Sequence, residues 1–403
     1  MIRIDEIYNN TFWPWIKQNV AGTRMFFCDP PGDTSPNALF NFGHDDIEEE
    51  DYIFFHDQEP VHLDAHGVLF DEVLTRMSDV VYRLNDPDGK YINMADFLIA
   101  NYATPNYTTP HLASIIKKKQ IKTSQGHVIV SEHGEHVEQL CDIYGWKSHY
   151  YFYHGWACQD WFRGYDKSFL IPRARDRAPT KTFMSPNRIV AGKRDHRVLF
   201  LYHVFKQQLE HNHISAPRVC VYENVDIVDI AKKYNNIYPD IEQVFRTAEL
   251  PRLFEGEETQ QMASCWLTNF AEAQDSLVYV PTETVYFGRR LHITEKTFKA
   301  IALEMPFVLM ALAGSFEYMR SYGFKTFDSV FDESYDQETD DQLRVEKVVK
   351  LLKDLDSLSV KEREQIHRAC VPLVEHNFHH FYQGGLTSIL WPELQNMLYE
   401  LQT

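Results

Sequence analysis

Thr294-Glu295-Lys296 places a hydroxyl, a carboxylate and an ammonium at the head of a run to Glu304 that reads as a helix. Threonine suits the cap position before a first turn. A helix start offers unpaired N–H groups and the positive end of the dipole, a combination that suits phosphate. Lys296 in that turn opposes the dipole and therefore calls for an anion. An ordinary capped surface helix with Lys296 in solvent would use the same residues. Glu283, in Pro281-Thr282-Glu283-Thr284, adds a carboxylate just after the apolar run 276–280.

A second group runs from Ser185-Pro186-Asn187-Arg188 to Arg194-Asp195-His196-Arg197. Cations between a strand end and a helix start can clamp a diphosphate, and Arg197 and Arg188 are the candidates. A solvated basic loop is the competing reading. A third group is His56-Asp57-Gln58-Glu59-Pro60, where Asp57 or Glu59 at a strand's C-terminal end can accept an acceptor's proton. A loop acid bonded to backbone is the alternative for each. The histidines lack tight metal spacing, and Asp86-Pro87-Asp88 precedes Gly89 and reads as a turn, so no metal is expected. Neither GxxxxGK[ST] nor GxGxxG occurs, which disfavours P-loop and dinucleotide enzymes.

These groups sit at the ends of alternating strand and helix patterns. Met25–Cys28, Tyr52–Phe55, Val80–Tyr82, His127–Val130 and Tyr150–Tyr153 read as strands of a first series. Lys181–Ser185, Arg218–Tyr222, Ser276–Val280 and Pro306–Met310 read as strands of a second. Helices are expected over Asp195–Glu210, Thr294–Glu304, Val360–Glu375 and Trp391–Gln402. The fold class is α/β, with two Rossmann-like lobes facing a cleft. The lobes are expected over 1–172 and 173–375, with a helical tail, 376–403, packing back on the first.

The 403 residues suit two domains, and 44% hydrophobic and 24% charged residues read as a folded soluble protein. A formal charge of −18 disfavours a protein that simply coats nucleic acid. Residues 163–197 nevertheless hold ten Lys/Arg against three acids, and Lys117-Lys118-Lys119 forms another basic cluster. Six scattered cysteines without a CxxC pair predict reduced, intracellular thiols. With neither a secretory leader nor an 18-residue apolar stretch, the expected location is cytoplasmic, with no membrane span.

Glu283, Thr294-Glu295-Lys296, the following helix, the apolar strand and Gly314 resemble the donor-binding signature of the fucosyltransferase family over about fifty residues. His292 stands where that family has tyrosine, and Thr284-Val285 where it has Asn-Ser. More widely, His56–Pro60, Ser131-Glu132-His133, His154-Gly155-Trp156, Asp160–Arg163, Asn187-Arg188, His196-Arg197, Thr294–Lys299 and Gly323–Phe327 resemble glycosyltransferase-like proteins of large tailed phages and giant viruses. The resemblance implies a GT-B glycosyltransferase of the host cytoplasm that uses a nucleotide-diphosphate sugar as co-substrate, without a tightly bound cofactor. It implies that Lys296 and Arg197 meet the pyrophosphate, Glu295 the ribose, and Glu59 or Asp57 acts as base if the reaction inverts. It also implies an acceptor candidate, a hydroxymethylated pyrimidine in DNA, with Arg163, Trp161 and Lys118 as contacts. A carbohydrate acceptor and a catalytically inactive binding or structural protein are the rival readings.

Overall fold

A computed structural model describes four strands of the first part of the chain and residues 151–400 apart from 153–154, 156–157, 160–161, 163–171, 222, 255–256, 258–266 and 289–290. Two compact units result, one of Cys158–Thr387 and the other of Arg3–Ala157 with Ser388–Thr403.

In the unit that begins at Arg3, β1 (Arg24–Cys28), β2 (Tyr52–His56), β3 (Gly126–Val130) and β4 (Lys147–Tyr150) pair in that order, all parallel. Aromatic and branched side chains favour these extended runs. β4 lies earlier than the aromatic run Tyr150–Tyr153 suggests. Its ladder ends with Tyr150 opposite Val130. Tyr151 and Phe152 are buried beyond it, and the Tyr151 hydroxyl donates to the Leu390 carbonyl at 3.1 Å. The expected strand Val80–Tyr82 lies outside the described residues.

The unit that begins at Cys158 alternates strand and helix. Its elements are β5 (Lys181–Ser185), α1 (His196–Lys206), β6 (Asn212–Ile214), α2 (Ile227–Ala231), α3 (Ile241–Thr247), α4 (Phe270–Asp275) and β7 (Ser276–Tyr279). Then come α5 (Glu295–Ala302), α6 (Ser315–Ser321), α7 (Asp341–Asp356) and α8 (Val360–Tyr382), and α9 (Gly385–Glu400) follows them. The strands run parallel in the order β6-β5-β7. Residues 306–310 continue the sheet beside β7 through parallel bridges Tyr279–Phe307 and Thr282–Met310. β5 and β7 have fully buried interiors, as a sheet covered on both faces requires. Parallel sheets and intervening helices make the chain α/β.

The second strand of this sheet is Asn212–Ile214, not Arg218–Tyr222. Val219 and Val221 are 41% and 48% exposed, so their apolar alternation faces no core. The segment turns back on itself instead: Cys220 N donates to Val225 O at 2.8 Å, and Asn224 adopts φ 52°. Arg218 Nε closes that turn on Asp226 at 2.8 Å.

Much of the basic stretch is engaged within the fold. Buried Glu304 accepts from Arg173 and, at 3.0 Å, from Ala174 N. Arg177 donates to Leu303 O and to Pro172 O, and burial lowers its pKa to about 10 against the pull of Glu304. Arg175 pairs with Glu375 at 2.7 Å.

Candidate functional site

β5 has β6 on one side and β7 on the other, so the chain steps outward from β5 to β6 and then crosses back past β5 to β7, reversing the strand order there. Open α/β sheets bind ligands outside the strand C-termini at such a reversal. The loops after β5 and β7 and the starts of α1 and α5 meet at this edge.

A buried polar chain ties the strand ends together. Ser185 Oγ donates to Val280 O at 3.0 Å, and Asn187 Nδ2 donates to Ser185 Oγ at 3.0 Å. Thr282 Oγ1 donates to Asn187 Oδ1 at 3.1 Å across the reversal. Asn187 N donates to Ser215 Oγ at 2.7 Å, which donates to Glu257 Oε1 at 3.0 Å. Burial raises the pKa of Glu257, while Phe254 N, Ser215, Arg188 and Lys299 oppose the rise. Sequence alone marks neither Asn187 nor Glu257 for this role: Asn187 stands beside Arg188 after β5, and Glu257 lies in an acidic run, Glu255-Gly256-Glu257-Glu258, that reads as surface loop.

Arg197 bridges the same reversal. Its two terminal nitrogens donate to Ile189 O and Thr282 O, each at 2.7 Å. Burial, then Arg194, lowers its pKa to about 9, while Glu283 and Glu295 raise it, so it is cationic at neutral pH. Beside it, buried His196 stacks on Tyr286 at 4.5 Å, and Arg344 lies over that tyrosine at 4.3 Å. Burial and the charges of Arg197 and Arg194 hold His196 well below its usual pKa, so it is neutral.

Thr294 caps α5, accepting from Lys296 N at 3.4 Å. Glu283 is fully buried against the same turn. It accepts from Thr294 N at 3.1 Å and from the hydroxyls of Thr294 and Thr297, each at 2.5 Å. A carboxylate of the protein thus occupies the positive end of this helix. Lys296 Nζ reaches Thr284 Oγ1 at 2.9 Å and Glu295 Oε1 at 2.6 Å. Its side chain remains 25% exposed, against 4% for Glu295.

α1 starts differently. Gly192 takes φ 65° in a tight turn just before it, and no side chain caps the helix. The Asp195 carboxylate turns to Lys233 at 3.2 Å. Arg188 and Arg194 flank this loop. The structure therefore brings Arg188, Arg197, Glu283, Thr294, Glu295 and Lys296 to one sheet edge. Asp57, Glu59, Lys118, Trp161 and Arg163 lie outside the described residues.

Among the described residues, no cluster of three or more His, Cys, Asp or Glu is arranged to hold a metal ion. Cys158, Cys220 and Cys370 are buried and form no disulfide, and among the described residues no helix is long and apolar enough to cross a membrane. No protein-family model matches the chain, and no curated protein matches it. A solved structure described as trehalose-6-phosphate from E. coli bound with UDP-2-fluoro glucose is similar over 85% of this chain and 74% of its own. The identity is 11% and the TM-score 0.38, a superposition loose enough that the functional reading stands on this chain's own residues.

Proposed function

We propose that the chain is a glycosyltransferase whose Cys158–Thr387 unit binds a nucleoside diphosphate-sugar at the β5/β7 reversal. The observation that carries this reading is the convergence of two helix starts and the cations Arg194, Arg197 and Lys296 on one strand-end edge. The uncapped start of α1, entered through Gly192, offers N–H groups to a phosphate. Lys296 would exchange its bond to Glu295 for the diphosphate, freeing Glu295 to take ribose hydroxyls. Glu283, its carboxylate held by the α5 turn, and Arg197, its terminal nitrogens bonded to Ile189 O and Thr282 O, would set the positions of the groups that touch the donor. Such fixed charges stabilise the negative charge that develops on a departing diphosphate.

Isothermal titration with UDP, GDP, ADP and CDP tests the donor site. Binding of none of them by the folded full chain would overturn the reading. For the transfer step we assign the base to Asp57 or Glu59, which follow β2. One of Asp57→Asn and Glu59→Gln should abolish transfer and keep donor binding.

A carbohydrate hydroxyl is the acceptor favoured here. The DNA reading drew on the basic stretch 163–197, yet Arg173, Arg175, Arg177 and Arg197 are bonded within the protein. Incubation of the enzyme and a donor that binds with hydroxymethylated DNA, followed by nucleoside mass spectrometry, separates the two. A sugar–nucleoside adduct would restore the DNA acceptor.

A further inference from the structure

The far end of α1 carries a second concentration of polar chemistry. A cavity of about 670 Å³ opens between the last turns of α1, Tyr238 and α7. That volume falls within the roughly 300–1,000 Å³ of small-molecule sites. Arg197 and Lys206 lie at opposite ends of the helix, roughly 13 Å apart along its axis. The cavity is therefore separate from the crevice at the β5/β7 reversal.

Tyr202, His203 and Tyr238 form one aromatic cluster, with ring centroids 4.8 to 5.1 Å apart, in which Tyr202 and His203 are buried and the part-exposed Tyr238 ring faces the opening. Part of the polar lining is closed on itself. Tyr202 Oη donates to Asp240 at 2.6 Å, and Lys206 Nζ donates to Tyr202 Oη at 2.6 Å and to Asp240 at 3.0 Å. Tyr238 Oη donates to Glu346 Oε1 at 2.8 Å.

The rest of the lining is mixed in character. His203 is buried behind it, and its Nε2, shielded from solvent and without a hydrogen-bond partner, lies 3.9 Å from Glu346 Oε1. Burial lowers the pKa of this imidazole, which leaves it neutral at pH 7 and able to donate or accept. The second oxygen of Glu346 accepts, Lys353 donates, and the amides of Gln207 and Gln208 do both. A phosphate mainly accepts, and its negative charge would meet the Glu346 carboxylate. A hydroxyl both donates and accepts, and the C–H faces of a sugar ring suit aromatic walls.

We propose that this cavity binds a carbohydrate of mono- or disaccharide size, held by Glu346 and the two glutamine amides against the Tyr238 ring. The site does not depend on the donor assignment. Saturation-transfer NMR on the full chain tests it with glucose, galactose, mannose, N-acetylglucosamine, maltose and inorganic phosphate as probes. At least one sugar should bind, and Glu346→Gln should weaken it about tenfold through loss of a charge-assisted hydrogen bond. Gln208→Gly is a second variant that spares the backbone, because Gln208 already adopts φ 54°. It should weaken the sugar severalfold. Lys296→Ala should leave sugar binding unchanged. Three outcomes would overturn the proposal: no sugar binds, phosphate alone binds and gains from Glu346→Gln, or sugar binding is lost in Lys296→Ala and kept in Glu346→Gln. Nucleoside diphosphate titration of the same samples reads the donor crevice separately.

Discussion

The starts of α1 and α5 lie at the same sheet edge and have opposite characters. α5 is closed: Thr294 caps it, and the buried Glu283 carboxylate supplies the negative charge its dipole favours. α1 is open: a left-handed Gly192 leads in, no side chain caps it, and its Asp195 carboxylate is drawn away to Lys233 while Arg194 and Arg197 stand beside it. A helix start is thus not by itself a phosphate site; what matters is whether the protein has already filled it. α5 is suited to present the Lys296 ammonium in a fixed place, and α1 to present backbone N–H groups.

Removing the carboxylate from the closed start should have the largest effect. Glu283→Ala leaves Thr294 N and two buried hydroxyls without their acceptor. It should cost about 3 kcal/mol of stability or more, read by urea denaturation. A loss below about 1 kcal/mol would mean that solvent or another group closes α5 just as well.

The division of labour predicts the next effect. Lys296→Ala should cost about 1.5–3 kcal/mol of nucleoside diphosphate affinity, the worth of a charge-assisted contact. Its melting temperature should match that of the parent protein. Unchanged affinity by calorimetry would remove Lys296 from the donor site and leave α1 as the sole anchor.

The open start can be disturbed through its turn. At φ 65°, Gly192→Ala places an L residue in the left-handed region, where the strain is about 1–2 kcal/mol. The added Cβ meets Glu223 Oε1 at 3.4 Å, which is ordinary contact, so the strain is in the backbone. Donor affinity should fall severalfold. If affinity holds while stability drops, phosphate is not bound by this loop.

The smallest effect is a pH slope from Glu257, on the β6 side of the edge. Its native pKa is raised by burial, so the native state keeps the proton longer than the unfolded chain does. The stability this contributes is full below the unfolded carboxylate value and declines as pH climbs through the native one. Glu257→Gln should flatten that limb of the melting-temperature profile. An identical profile in both proteins would show that Glu257 titrates normally.

Local chemistry was readable from the chain, and closure in space was not. The sequence marks Lys181–Ser185 as a strand with its observed bounds, and Thr294 as the cap of α5. Both depend on residues within a few positions. Arg218–Tyr222 had the right composition for a strand, but nothing in its pattern revealed that its valines face outward. The sequence shows Glu283 as a carboxylate near the helix, yet its three bonds to the α5 turn require a fold that brings the end of β7 to that turn. Glu257 had no signal, since its partner Ser215 lies on a different strand end.

The composition of the unit that begins at Arg3 has a consequence for biosynthesis. Its strands β1–β4 end at Tyr150, but Ser388–Thr403 belongs to the same compact unit, and the Tyr151 hydroxyl donates to Leu390 O. On a ribosome moving at about 5–20 residues per second, the missing piece emerges some 12–50 s after the strands. The intervening Cys158–Thr387 unit is contiguous and can fold in that interval. The nascent four-stranded sheet must therefore wait, without its closing segment, for a neighbour made after it to finish first. A stop codon near residue 387 would leave that sheet waiting indefinitely, as a substrate for chaperones and proteases.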